Sequence, residues 1–426
     1  MNVCVFGLWH LGCVTAACLA DSGCTVIGLD FDEKTITNLK NGKPPLFEPG
    51  LEELIKKNLN STLSFTTDAK SALAGVDVFW VAFDTPVDDH DVADLAFVKD
   101  NIRKVLPYVP QGAKVIISSQ APVGFTKEIE DLFVQAGKSV HVACSPENLR
   151  LGQAIQVFRE PDRIIIGVRN LSDVEEFRPL FSKITDRLEW MKTESAEMTK
   201  HAINSFLATS VVFANELATI CEAVGADAKE VARGLKTEAR IGPKAYLGPG
   251  LSFAGGTLAR DINFLIDLSH ENHKKAMLIE AVKASNDYHK GWLKRKCIEL
   301  FGKLQNVRFA VLGLTYKPNT NTLRRSSSVE LCEWIRSQGG IVYAYDPYIT
   351  ALSASLSDTI QLQTTVQDAL SSAECIIIST EHQAFKKLWA DHPASFSGKK
   401  IIDPTGFIEK ELPEKKDFTY VCVGRA

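Results

Sequence analysis

At 426 residues the chain exceeds the size of a single hydrophobic core, so its length predicts two or three domains. Hydrophobic residues at 45% and charged residues at 23% are those of a globular chain, and a net charge of −4 supplies no basic surface for nucleic acid or an anionic membrane. No run approaches the roughly 18 consecutive apolar residues of a spanning helix, MNVCVFGLW opens without a basic leader, and the ten cysteines lack metal or CxxC spacing, so a cytoplasmic protein with reduced thiols and no metal is expected.

NVCVFGL is an apolar run ending on glycine, LGCVTAACLADSG reads as a small-residue helix, and CTVIGLD as a second strand. This β-α-β unit sets Gly7, Leu11 and Gly12 in its first turn and Asp30 at the tip of its second strand. About twenty positions after the glycines, an acid there would bond an adenosine ribose 2′-hydroxyl and repel a 2′-phosphate. NAD is therefore expected rather than NADP. The dinucleotide fingerprint GxGxxG places its middle glycine at position 9, where this chain has Trp9.

Further strand-and-turn units follow in VDVFWVAFDTP, AKVIISSQAPVG and HVACSPENLRLG. Ligands of open parallel sheets sit at the carboxyl ends of the strands, and Asp84, Thr85, Gln120, Ser145 and Glu147 fall there. Segment 170–190 reads as the close of this domain, its charges a solvated face. From Ser195 to about Lys236 apolar residues recur at helical spacing, with Lys200 and Asn204 on one face, and helices continue to about residue 303. Within them LGPGLSFAGGTLARD (247–261) concentrates glycines before the charged pair Arg260 and Asp261. A third section, from VRFAVLGLTYKPNTNTLRR through AYDPY to KKIIDPTGF, repeats the strand-helix-strand pattern. The expected architecture is α/β: two Rossmann-like, doubly wound parallel-sheet domains (1–195 and 304–426) joined by a long-helix connector (196–303).

The blocks FEPGLEELI (47–55), APVGFTKEI (121–129), SPENLRLGQAI (145–155), PDRIIIG (161–167), KHAINSFLAT (200–209), RIGPKAYLGPG (240–250), LGLTYKPNTNTLR (312–324) and AYDPY (344–348) follow one another along the chain. Together they resemble the nucleotide-sugar dehydrogenase family, which includes UDP-glucose, UDP-N-acetylmannosamine and GDP-mannose dehydrogenases. The resemblance implies an N-terminal NAD-binding Rossmann domain, a helical dimerisation core and a C-terminal nucleotide-sugar domain, hence a homodimer with a nucleotide-linked substrate. It also implies a double oxidation of a primary alcohol by two NAD+, through an aldehyde and a thioester on a cysteine.

At that cysteine's place in SFAGGTLARD stands Thr257. A thiol, with a free pKa near 8.5, is readily made a thiolate, whereas a hydroxyl needs a strong adjacent base to act as a nucleophile. A second acid of the family is matched by Leu151 and a threonine by Gln120. The resemblance assigns Lys200 and Asn204 to the reacting oxygen, Asp261 to the carboxylate working with them through water, and Glu147 to the first acid. It places Tyr246, Lys317, Leu149 and Arg150 near the nucleotide-sugar and Arg240 in the partner subunit's site. Thr85, Pro86, Gln120, Arg260 and Arg324 fall near the cofactor. Cys144 reads as a strand-end core thiol.

Three functions follow. The favoured one is an NAD-dependent oxidoreductase performing one two-electron step, in either direction, on an alcohol of a nucleotide-linked sugar. The others are a full double oxidation of a UDP-sugar by a rewired site, and a non-catalytic nucleotide-sugar-binding homologue.

Overall fold

The computed structural model describes all residues except 87–92, 147–148, 254–256, 319, 325, 415–416 and 426. It divides within one long helix into two compact units, Met1–Ile203 and Asn204–Ala426. In the first unit the strands, in chain order, are β1 (Asn2–Phe6), β2 (Thr25–Leu29), β3 (Leu63–Thr66), β4 (Val78–Val81), β5 (Lys114–Ile117), β6 (His141–Cys144), β7 (Ile164–Val168) and β8 (Leu188–Lys192). They form one sheet in the order β3-β2-β1-β4-β5-β6-β7-β8. Strand order therefore reverses between β1 and β4, where an open α/β sheet leaves a crevice for a ligand.

Alternation along these strands explains why both faces are covered. Val3 and Val5 of β1, with Val78 and Trp80 of β4, enter one core cluster. Cys4, Phe6, Phe79 and Val81 enter the other. A strand buried on both sides reads as a continuous apolar run, which is how VCVF and VFWV look in the sequence. All ten cysteines are free and buried, and burial pushes the Cys144 thiol far above the usual thiol range.

Two features depart from the sequence reading. β7 runs antiparallel to β6, pairing Ala143 with Val168 and Cys144 with Gly167. Among the described residues the one helix between them, Ala154–Arg159, is six residues long, too short for the crossover that a parallel neighbour requires. Segment 170–190 is also more than a solvated face: it contains the helix Val174–Phe181, whose Phe177 and Phe181 are fully buried, and it enters β8.

The long helix, Thr193–Val224, follows β8 directly. Its first turns lie against the sheet at Gly167, where a Cβ would stand 2.7 Å from both Thr193 Cα and Ala196 Cβ. Buried Glu197 accepts the backbone N–H of Gly124 at 2.7 Å and of Thr126 at 2.8 Å. A carboxylate on the N-cap amide and a first-turn amide of the helix Phe125–Gln135 both caps it and favours its dipole. An 18-residue window of the long helix has a mean hydropathy of 1.4, so by length and composition alone it would cross a membrane. No consecutive apolar run marks it in the sequence, because Asn204 and other polar residues interrupt the pattern.

In the second unit β9 (Arg308–Leu312), β10 (Ile341–Tyr345), β11 (Gln361–Leu362), β12 (Cys375–Ile378), β13 (Lys400–Ile402) and β14 (Thr419–Val421) are all parallel, in the order β11-β10-β9-β12-β13-β14. Phe309 and Val311 face one core and Ala310 and Leu312 the other, as in β1. The run after Gly256 forms two helices, Leu258–Glu271 and Met277–Lys290, so Arg260 and Asp261 lie inside the first turn rather than ahead of it.

One helix, α1 (His10–Asp21), is fixed by a backbone contact that only glycine permits. A Cβ on Gly12 would stand 1.7 Å from the carbonyl oxygen of Gly7. Gly12→Ala is expected to lower the melting temperature sharply, because the clash is with backbone and no rotamer relieves it. Gly234→Ala, in the open on the helix Ala228–Thr237, should instead hold or raise stability by about 0.5–1 kcal/mol. Calorimetry of the two variants checks the opposite signs.

Candidate functional site

In the first unit the site is built on the turn after β1. Gly7 has φ +92°, a left-handed conformation that suits glycine, and a Cβ there would meet the Phe83 ring at 2.6 Å. Trp9, where a middle glycine is expected, has φ −89°, so the indole stands there without backbone strain. Asp30 does sit at the tip of β2, and its Oδ2 accepts the N–H of Leu8 at 2.8 Å. Gly7, Trp9, Asp30, Thr35 and Pro86 line one cleft of about 820 Å³. Thr85 is buried, and its Oγ1 donates to the Gln120 carbonyl at 2.6 Å, tying the carboxyl ends of β4 and β5 together.

Glu48, within FEPGL, is a buried carboxylate that the sequence reading passed over. It accepts the N–H of Gly152 at 2.8 Å and of Ala154 at 2.9 Å, and lies 2.8 Å from His10 Nε2. It thereby joins the start of α1 to the loop after β6, which carries half-buried Leu149 and exposed Arg150. Glu147 lies outside the described residues.

Lys200 and Asn204 are one turn apart on the continuous long helix, Lys200 half-buried and Asn204 buried. In the second unit Asn204 Nδ2 donates to Asp261 Oδ2, and both side chains are buried. Thr257 is the exposed residue immediately before the helix Leu258–Glu271, and its side chain makes no capping bond. Arg260 is buried, and its Nε has no partner among the described residues. Arg240 and Tyr246 are exposed, Arg240 bonding only to neighbouring Glu238 at 2.9 Å among the contacts described. Lys317 is half-buried in the loop after β9, and Arg324 is exposed beyond it.

Three side chains that the sequence reading did not single out hold the glycine-rich loop. Asn215 Oδ1 accepts the N–H of Gly250 at 2.9 Å, and His289 Nε2 donates to the carbonyl of Gly250 at 2.8 Å. Asn286 both accepts from the N–H and donates to the carbonyl of Phe253, each at 3.0 Å. Breaking either bond to buried Gly250 would leave a backbone group unsatisfied, at a cost of about 1–3 kcal/mol. At the tip of β10, Asp346 accepts the N–H groups of Leu314 and Thr315, and His382 Nε2 lies 3.2 Å from its Oδ2. Burial raises its pKa, but the bonds from His382 and from the backbone of Tyr348, Thr315 and Leu314 outweigh this and hold it at about 2.

Three models of one family cover most of the chain: its NAD binding domain over residues 1–185, its central domain over 194–288 and its UDP binding domain over 310–410. The chain belongs to the UDP-glucose/GDP-mannose dehydrogenase family. It is 33% identical to a UDP-glucose 6-dehydrogenase of Rhizobium meliloti, over the whole of both chains. It is also 33% identical to the UDP-glucose 6-dehydrogenase TuaD of Bacillus subtilis, across all of this chain and 93% of that one. Among solved structures, a UDP-glucose dehydrogenase from Pyrobaculum islandicum matches with a TM-score of 0.90 at 29% identity, covering 100% of this chain and 98% of that one. The UDP-D-ManNAc dehydrogenase of Pyrococcus horikoshii matches at 0.86 and 26%, covering 100% and 99%.

Membership makes this an NAD-dependent dehydrogenase acting on CH–OH groups, with a nucleotide-sugar substrate. The turn of the first unit fits the adenosine half of NAD, since Gly7 and Gly12 bring α1 close and Asp30 faces the cleft.

His289 generates a test of the loop's anchoring. Burial, with the nearby charge of Arg295, lowers its pKa below 6.5 despite the Gly250 bond and Glu222. As pH falls through 6.5 the unfolded chain takes up this proton before the native state does, so native stability falls with it. Thermal unfolding measured from pH 7.5 to 5.5 should show a decline that is shallower in His289→Gln, which keeps a donor but cannot titrate.

Proposed function

We propose that the protein oxidises an alcohol of a nucleotide-linked sugar by a single two-electron step, or runs the reverse reduction, with Lys200, Asn204 and Asp261 handling the alcohol oxygen. The observation that carries this reading is the buried Asn204–Asp261 hydrogen bond standing beside a hydroxyl, Thr257, at the place the resemblance gives to a thiol. Bound NAD+ would supply the hydride acceptor for the carbinol carbon, and with the alcohol proton passing to solvent one C–H and one O–H bond would be exchanged for a carbonyl. An ammonium and an amide directed at the developing alkoxide stabilise its charge. Asp261 fixes the Asn204 amide so that its oxygen and nitrogen are not interchanged. Glu147 is assigned to the same chemistry as the first acid, Tyr246, Lys317, Leu149 and Arg150 to the sugar nucleotide, and Thr85, Pro86, Gln120, Arg260 and Arg324 to the cofactor, within domains 1–195, 196–303 and 304–426.

A second reading, the full double oxidation to a uronate, is favoured by full-length similarity to proteins named UDP-glucose 6-dehydrogenase. The two differ in stoichiometry. With a panel of UDP-, GDP-, CDP- and dTDP-sugars, one NADH per product lighter by two hydrogens is expected, and two NADH with a carboxylate product would replace the first reading by the second. Asn204→Ala should lower kcat by roughly 10²–10³, while Thr257→Ala should leave NADH formation within a few-fold of the parent.

The long helix also supports a homodimer, with Arg240 reaching the partner's site. Phe206, Phe213 and Ile220 are exposed at seven-residue intervals, with Val224 continuing the stripe. Apolar residues repeating every seven positions present one face of a helix, and a second copy is the occupant that cytoplasmic residence would offer it. Light scattering should report a dimer, and Phe213→Glu should convert it to monomer.

A further inference from the structure

We propose that Asp84 is an internal competitor for the cofactor's diphosphate, so that its carboxylate sets how tightly the dinucleotide binds. Helix α1 begins at His10, has no acidic residue in its first turn and receives no cap from the Trp9 side chain. The carboxylate that it lacks comes from the loop after β4, 73 residues away, where Asp84 Oδ2 accepts the N–H of Leu11 at 3.0 Å. First-turn amides of this helix are where a Rossmann turn receives a diphosphate. One anion already holds that donor.

The neighbouring turn amide is held too, since Leu8 N–H donates to Asp30. Both carboxylates lie near Cys13, whose buried thiol they push further up. Asp32, Asp94 and Asp100 add to Asp30 and Asp84 around the same cleft, and among the described lining residues Lys104 is the one cation. That ammonium lies 5.4 Å from the centre of the Phe31 ring and 3.2 Å from Asn101 Oδ1, so it is engaged elsewhere. A diphosphate entering the turn must therefore displace the Asp84 carboxylate. An adenosine needs no such displacement, because its ribose is met by Asp30.

The inference rests on the α1 turn being the dinucleotide site, and the ligands are chosen to separate the two ideas. ADP-ribose, NADH and adenosine would be titrated calorimetrically into the full chain and into Asp84→Ala, Asp84→Asn and Asp100→Asn. Asp84→Ala should bind ADP-ribose and NADH about tenfold more tightly, the scale of one hydrogen bond to a charged group, with adenosine unchanged. Asp84→Asn, which keeps the shape without the charge, should fall between, and it serves if the alanine variant does not fold. Asp100→Asn removes the same charge from the cleft without touching α1 and should change nothing. Weaker or equal ADP-ribose binding in the Asp84 variants, an equal gain for adenosine, or an equal gain in Asp100→Asn would each overturn the proposal. Failure of every protein to bind ADP-ribose would overturn it together with the reading of the turn.

Discussion

Both sheets depend on the same small bond, a carboxylate at the tip of one strand holding a backbone N–H just past the glycine that ends its neighbour. In the first unit Gly7, at φ +92°, donates to the Leu29 carbonyl at 3.0 Å, and Asp30 accepts from Leu8. In the second Gly313, also at φ +92°, donates to the Tyr345 carbonyl at 2.8 Å, and Asp346 accepts from Leu314 at 2.7 Å. Each carboxylate satisfies an amide that the sharp turn removes from the strand ladder. The surroundings then diverge. Asp30 remains half-exposed and faces a cleft, whereas Asp346 is sealed beneath His382 and Thr315. A charge left open can meet a ligand's hydroxyls, and a charge enclosed by five hydrogen-bond donors can only hold the turn.

What was legible in the sequence was what local pattern encodes. Strand alternation exposed both Rossmann-like sheets, glycine spacing exposed the α1 turn, and a four-residue interval placed Lys200 and Asn204 on one face. The reversed β7 was hidden because PDRIIIG looks the same whichever way it runs. Direction depends on the connection, and the loop before it carries no signal for a six-residue helix. Glu48 was hidden for a different reason. Its partners Gly152 and Ala154 lie more than a hundred residues on, and an acid in FEPGLEEL looks like two solvated neighbours. Asn215, Asn286 and His289 were likewise ordinary polar residues on helices until tertiary packing brought backbone against them.

The long helix buries polar side chains beside apolar ones such as Ala208, Val212 and Ala218. Asn204, Ser205 and Asn215 are among its buried residues, while Phe206, Phe213 and Ile220 are exposed. Burying an amide costs several kcal/mol unless it is paired. Here Asn204 is paired with Asp261, and Asn215 with Gly250 and Leu251. These polar contacts make the buried face specific in register, since each can form at only one position along the helix. Packing against apolar neighbours is more tolerant of sliding. The exposed face, with no such bonds to satisfy, is free to be apolar.

The position of Thr257 sharpens the difference between a hydroxyl and a thiol. It stands at the N-terminus of a fourteen-residue helix, where a macrodipole favours negative charge by about 0.3–1 kcal/mol and at most ~2. Since one pKa unit is about 1.36 kcal/mol, the helix supplies at most roughly 1.5 units. That brings a thiol from about 8.5 to near neutrality, where a useful fraction is thiolate. An aliphatic hydroxyl is about as weak an acid as water, so the same assistance leaves it protonated at neutral pH. A general base would have to make up the difference. The carboxylate one turn along, Asp261, is already committed to the Asn204 amide. A setting able to activate sulfur therefore leaves this oxygen protonated, and the proposed single two-electron step rests on that difference.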